Sequence, residues 1–119
     1  MDVVNLQERL ARFDERWSPR IVAELNGQHV KLAKLEGEFV WHHHEHEDEA
    51  FLVVRGHLTI ETRGRDFELR EGDLLVVPRG VEHRPVAHGE VHVLLFEPAT
   101  TLNTGNVRNE RTVERPERI

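Results

Sequence analysis

Four of the nine histidines crowd into the stretch His42–His46. On an extended strand side chains alternate between faces, so His42 and His44 share one face at about 6.5–7 Å spacing. Two imidazoles so placed can converge on one ion. Glu49 follows the polar turn Glu45-His46-Glu47-Asp48, and from the start of the next strand it can return to the same point. His83 has to arrive from a distant strand, and the tight turn encoded by Pro78 and Gly80 would deliver it. Three neutral nitrogens and a carboxylate suit Fe, Mn, Co, Ni, Cu or Zn better than Ca or Mg, which prefer all-oxygen shells. Four protein ligands on a six-coordinate ion leave two positions open, as a reactive centre requires. The chain has no cysteine, so thiolate ligands and disulfides are excluded.

Each of these residues has an ordinary reading when taken alone. A single histidine at a strand end usually faces solvent, and the histidine run could be a surface cluster. The two halves together, His42-x-His44-x4-Glu49 and Gly72-x5-Pro78-x-Gly80-x2-His83, are far more specific. Gly56, Gly72 and Gly80 read as turn glycines.

The elements that must hold these ligands are mostly strands. Asn5–Phe13 places Leu6, Leu10 and Phe13 on one helical face, with Asn5 as N-cap and Glu8 three residues on. Ser18-Pro19 ends that pattern. Ile21–Leu25 then runs to Asn26-Gly27, a strong hairpin signal. Further strands read at Val30–Leu35, Phe51–Val54, Leu58–Thr62, Phe67–Leu69, Leu74–Val77 and Val91–Phe96, divided by turn residues. Many short strands without intervening helices predict an all-β sandwich or barrel. Leu74–Val77 and Val93–Phe96 lack polar alternation, which predicts cover on both faces from a second sheet, the helix or another subunit. Three segments follow: residues 1–19 helical, 20–99 the barrel, and 100–119 a charged tail that either packs on the barrel or frays from it.

Strand parity assigns the neighbours of the ligands. Phe51 and Val53 share the parity of Glu49 and are expected to face the interior. His92, Leu94 and Phe96 form one face of the last strand and are expected in a substrate pocket, with His92 as a hydrogen-bond partner of a metal ligand or an acid–base group. Trp41 and His43 have the opposite parity to the ligands and should face the other sheet or a dimer partner. Arg84 reads as structural, and His29, His57 and His88 as exposed turn residues.

Composition narrows the partners. A net charge of −6 disfavours nucleic acid and anionic membranes, both of which call for clustered Lys and Arg. No apolar run approaches the about 18 residues of a membrane helix, and the N-terminus lacks the basic-then-apolar order of a secretory signal. A cytoplasmic location is the resulting expectation.

Gly37–His44 with Glu49 and Gly56 resembles the first cupin motif, and Gly72–His83 resembles the second. The resemblance runs from about Arg20 to Phe96. Leu94-Leu95-Phe96-Glu97-Pro98 and Thr101-Leu102-Asn103-Thr104-Gly105 look like a subgroup of small bacterial cupins often labelled mannose-6-phosphate isomerase-like. It implies a double-stranded β-helix (jelly-roll) barrel with a short N-terminal helix ahead of it. It also implies one divalent metal ion inside, all four ligand positions being filled by His42, His44, Glu49 and His83. A homodimer is expected, joined through outer strands and the N-terminal segment. The function expected is that of a metal-dependent enzyme acting on a small organic molecule, of dioxygenase, isomerase or lyase type. The alternative is a non-catalytic metal or small-ligand binding module or sensor. No residue outside the metal set stands out as nucleophile or general base.

Overall fold

Asn26 and Gly27 both adopt the left-handed conformation, with φ of 48° and 78°, as a two-residue hairpin turn requires. They fold β1 (Arg20–Leu25) back onto β2 (Gln28–Glu38), with Leu25 opposite Gln28. The computed structural model describes residues 1–119. After β2 come β3 (Glu49–Thr62), β4 (Asp66–Leu69), β5 (Leu74–Val77) and β6 (His83–Pro98), preceded by one short helix, α1 (Leu6–Leu10). All pairings are antiparallel, in the order β1-β2-β6-β3-β4, with β5 also on β3. The strands form an all-β jelly-roll barrel.

The two strands read at 51–54 and 58–62 are one continuous strand. Gly56 lies inside it rather than at a turn: its φ is +96°, and the register against β6 shifts between Arg55 and His57, where β6 carries the extra residues. A Cβ at Gly56 would lie 2.9 Å from the Glu90 carbonyl oxygen, so only glycine lets β6 approach this closely.

The barrel interior holds Ala33, Leu35, Phe51, Val53, Leu58, Ile60, Val91, Val93 and Leu95. A smaller cluster lies outside the sheet, where Leu10 and Phe13 cover Leu32, flanked by Leu6, Val22, Val54 and Leu94. Asn5 caps α1, its Oδ1 accepting from the Glu8 amide at 2.9 Å. The helix stops at Leu10, three residues before the apolar spacing would end it. Beyond that point the Phe13 carbonyl accepts from Lys34 Nζ at 2.7 Å, and the chain turns down onto β2.

Cover on both faces holds for only part of the apolar strands. Val93 and Leu95 are buried and Leu94 packs on the helix cluster. Leu74 and Val76 on β5 and Phe96 on β6 remain 66%, 53% and 38% exposed, because α1 does not reach them. His29, read as exposed, is buried within β2, where burial lowers its pKa.

The tail lies along the barrel. Ile21 donates to the Glu117 carbonyl at 2.8 Å and Ile119 donates to that of Ile21 at 3.0 Å. Arg118 pairs with Glu24 at 2.7 Å. No helix is long and apolar enough to cross a membrane.

Candidate metal centre

His42 and His83 face each other across an antiparallel bridge. The His42 amide donates to the His83 carbonyl at 3.0 Å and the His83 amide to that of His42 at 2.8 Å. The bridge extends the β2–β6 pairing, in which Glu38 stands opposite Val86. Gly80, left-handed at φ 81°, closes the turn after Pro78 and donates its amide to the His44 carbonyl at 2.8 Å. Glu49 enters from the first residue of β3, opposite Val77. His42, His44, Glu49 and His83 are all buried, and one ligand atom of each lies within 4.8 Å of the others.

The ring nitrogens are set for coordination. Nδ1 of His42 donates to the Val40 carbonyl and Nδ1 of His83 to the Val81 carbonyl, both at 2.9 Å. Since a carbonyl can only accept, each Nδ1 carries the proton and each Nε2 presents a bare lone pair. His44 Nε2, His83 Nε2 and Glu49 Oε1 are buried without any hydrogen-bond partner. Each such atom costs about 1–3 kcal/mol if left unmatched, and here three face one point. Glu49 Oε1 lies 3.4 Å from His44 Nε2 and 3.6 Å from His83 Nε2. Metal–donor bonds of about 2.0–2.2 Å place neighbouring donors roughly 3.0–3.7 Å apart. The residues therefore fit a first-row divalent ion.

Electrostatics favour the same state. Burial first, then the nearby His83, lowers the His42 pKa to about 4, so it is neutral where a metal ligand must be. Burial alone would raise Glu49, but the facing His44 and His83 hold it well below the usual carboxylate range.

Beside the ligands is a cavity of about 40 Å³, room for roughly three waters. Ala33, Leu35, Phe39, Phe51, Val93 and Leu95 line its apolar wall, and His42, Glu49 and Glu97 its polar one. Phe51 stands edge-on to His83, centroids 6.3 Å apart. Val53 is buried in the interior core away from the cavity lining.

His92, Leu94 and Phe96 do not reach this cavity. The residues of β6 that do are Pro85, Val93, Leu95 and Glu97, one step out of phase with the sequence expectation. His92 instead lies 3.5 Å from Glu90, with burial lowering its pKa. Both faces of β6 are apolar, so periodicity alone does not choose between them. Trp41 faces outward between Arg63 and Arg84, at 3.7 and 5.5 Å from its centroid. Arg84 also pairs with Glu61 at 2.8 Å, a structural role.

The sequence reading missed Glu97, Lys31 and Trp17. Lys31 Nζ and Glu97 Oε2 form a fully buried pair at 3.2 Å, and Glu97 Oε1 has no partner. Burial, then the Glu49 carboxylate, pushes the Glu97 pKa well up. The available signal was parity: Lys31 shares a face with Ala33 and Leu35, and Glu97 with Val93 and Leu95. Trp17 closes one side of the cavity, stacked on Phe39 at 4.6 Å. Its φ of 60° is a strained conformation for a bulky residue, held by an Nε1 hydrogen bond to the Glu36 carbonyl at 3.0 Å.

The tail also reaches the site. Asn106 Oδ1 accepts from the His43 amide at 2.9 Å, and the Asn106 amide donates to the His43 carbonyl at 3.1 Å. His43 is thereby clamped between two ligands.

Comparison with known proteins agrees with this construction. A Cupin_2 (cupin domain) family model matches residues 28–97. A cupin-2 domain containing protein from Shewanella frigidimarina is 44% identical, covering 81% of this chain and 94% of its own, with a TM-score of 0.80. Protein NMB1881 from Neisseria meningitidis is 31% identical, covering 82% and 100%, with a TM-score of 0.75. YdbB of Bacillus subtilis is 39% identical over 64 residues, so the match takes in 53% of this chain and 57% of that protein. The family model spans well over half of the residues, both cupin motifs among them, and the chain belongs to the cupin domain family.

Proposed function

We propose that this cupin is a metal-dependent enzyme acting on a small organic molecule, with His42, His44, Glu49 and His83 holding one divalent Fe, Mn, Co, Ni, Cu or Zn ion. The observation that carries the reading is the convergence of three buried, unpartnered donor atoms from His44, His83 and Glu49 on one point. When bound, such an ion supplies Lewis acidity and open positions for two oxygens of a substrate. The chain's own residues do the rest. Val40 and Val81 fix the ring tautomers of His42 and His83, and the apolar wall faces the polar one across the cavity. Glu97, its pKa pushed up by burial and the Glu49 carboxylate, is assigned as the proton donor through its unpartnered Oε1. With about 40 Å³ available, only the reacting end of a substrate enters, such as a dicarbonyl or a pair of adjacent hydroxyls.

Elemental analysis of untagged protein purified without added metal or chelator tests the site. Near one equivalent in the wild type and almost none in His42→Ala/His83→Ala is the expected result. Equal metal in both would move it to the surface histidines and end the assignment. Enzymatic turnover is then screened with dicarbonyl and hydroxy compounds, with and without oxygen. Ligand retained unchanged across the panel would replace the enzyme reading with that of a binding module.

A homodimer belongs to the same reading. Val76, Ala50 and Phe96 stand in register across β5, β3 and β6, with Leu74 beside Leu52 on the same outer face. This exposed apolar row is a suitable contact for a second copy. Light scattering at micromolar protein should give twice the chain mass, and Leu74→Lys/Val76→Glu should halve it. A wild-type monomer removes the dimer.

A further inference from the structure

We propose that His57, Glu68 and His88 form a second site for a divalent transition metal ion, on the outer face of the barrel away from the interior cluster. Leu58 and Ile60 point into the core, so His57 and Thr59 between and beside them point out. His57 stands directly opposite His88 across β3 and β6, and Thr59 opposite Glu68 across β3 and β4. Three adjacent strands thus bring two imidazoles and a carboxylate together, with one ligand atom of each within 4.8 Å of the others.

A register shift at Gly56 creates this juxtaposition. Arg55 pairs with His92, and an unbroken antiparallel register would set His57 opposite Glu90. The shift between Arg55 and His57 sets it opposite His88 instead. The two rings stack with centroids 4.3 Å apart and planes 28° apart. His57 Nε2 lies 3.2 Å from Glu68 Oε2, and His88 Nε2 lies 2.7 Å from Thr59 Oγ1, the hydroxyl bound to the same carboxylate. The Thr59 hydroxyl lies 2.6 and 2.7 Å from the two Glu68 oxygens, which orients the carboxylate as outer partners of metal ligands do. One ion can replace the ring protons now shared with oxygen.

Two nitrogens and one carboxylate select Zn²⁺, Cu²⁺, Ni²⁺ or Co²⁺ over Ca²⁺ or Mg²⁺. Only three protein ligands are present, and the site borders an open depression lined by Gly56, His57, Arg70, Glu71 and His88. The remaining positions therefore face solvent, unlike those of the enclosed interior cluster.

The test is calorimetric titration of ZnCl2 into the full chain already carrying metal in its interior site. Wild type should take up one further equivalent, and His57→Gln/His88→Gln should lose it. Thr59→Val should weaken it by about 10–100-fold with the circular-dichroism spectrum unchanged. His43→Gln/His46→Gln should leave it intact. Loss of the event in that last variant, its persistence in His57→Gln/His88→Gln, or no further equivalent in wild type each overturns the proposal. The interior assignment fails separately, through metal still retained when His42→Ala/His83→Ala is combined with His57→Gln/His88→Gln.

Discussion

Gly105 packs against the backbone of His43 so closely that a Cβ on it would lie 2.2 Å from the His43 carbonyl oxygen and 2.9 Å from the His42 ring. Its φ of 58° is also one that side chains adopt at a cost. Gly105→Ala should therefore push the His42–His44 segment away and weaken metal binding at least tenfold. It should destabilise the fold by about 1–3 kcal/mol. Metal equivalents after dialysis and a denaturation curve measure both, and wild-type values in each would show that the tail does not position the ligands.

The interior ligands predict a stabilisation that depends on metal. An ion at 100 to 1,000 times its dissociation constant should raise stability by about 2.7–4.1 kcal/mol. Chelation should remove that increment and leave a folded barrel, since the core residues in the interior do not depend on the ion. In His83→Ala the chelator should change the melting temperature by nothing measurable. An equal shift in both proteins would place the stabilising ion elsewhere.

Stability of the chelated protein should fall as the pH drops from about 6.5 to 4. His42 is held down to about 4 from an ordinary 6.5, so in this window the unfolded chain binds the proton that the folded chain refuses. Stability therefore rises with pH through it and is fully present above 6.5. The shift corresponds to on the order of 3 kcal/mol, and His29 and His92, also lowered by burial, act in the same direction. Urea unfolding at a series of pH values reads it. His42→Gln should flatten the profile, and an unchanged slope in that variant assigns the dependence to other groups.

Lys31 and Glu97 should show strong coupling. Glu97→Leu leaves the fully buried Lys31 Nζ without its hydrogen-bond partner, at a cost of about 1–3 kcal/mol. Adding Lys31→Met to it should restore much of that stability, while the carboxyl beside Glu49 stays lost. Additive effects in the double-mutant cycle would mean that the 3.2 Å contact contributes no net interaction. If the double variant also turns over substrate like wild type, Glu97 has no part in the chemistry.

The local features of this chain were legible in its sequence because they depend on short-range rules. Asn26-Gly27 specified a hairpin through φ, Asn5 specified a helix start, and His42 and His44 shared a face through the period of a strand. Spacing and motif together named Glu49 and His83, and all four residues meet in the structure. What the sequence could not determine were the relations set by register and by cover. Gly56 reads as a turn from composition, yet whether glycine ends a strand or lies inside it depends on Glu90 lying behind it. The inward face of β6 was undecidable while both faces were apolar, and only packing against α1 and the cavity put Glu97 inside and Leu94 outside. The same holds for Lys31, whose burial depends on a carboxylate 66 residues away, and for Gly105, placed on His43 by a tail with no periodic pattern. Sequence pattern carries side-chain type and local geometry, whereas the choice between faces is made by the free energy of burying one of them against a distant partner.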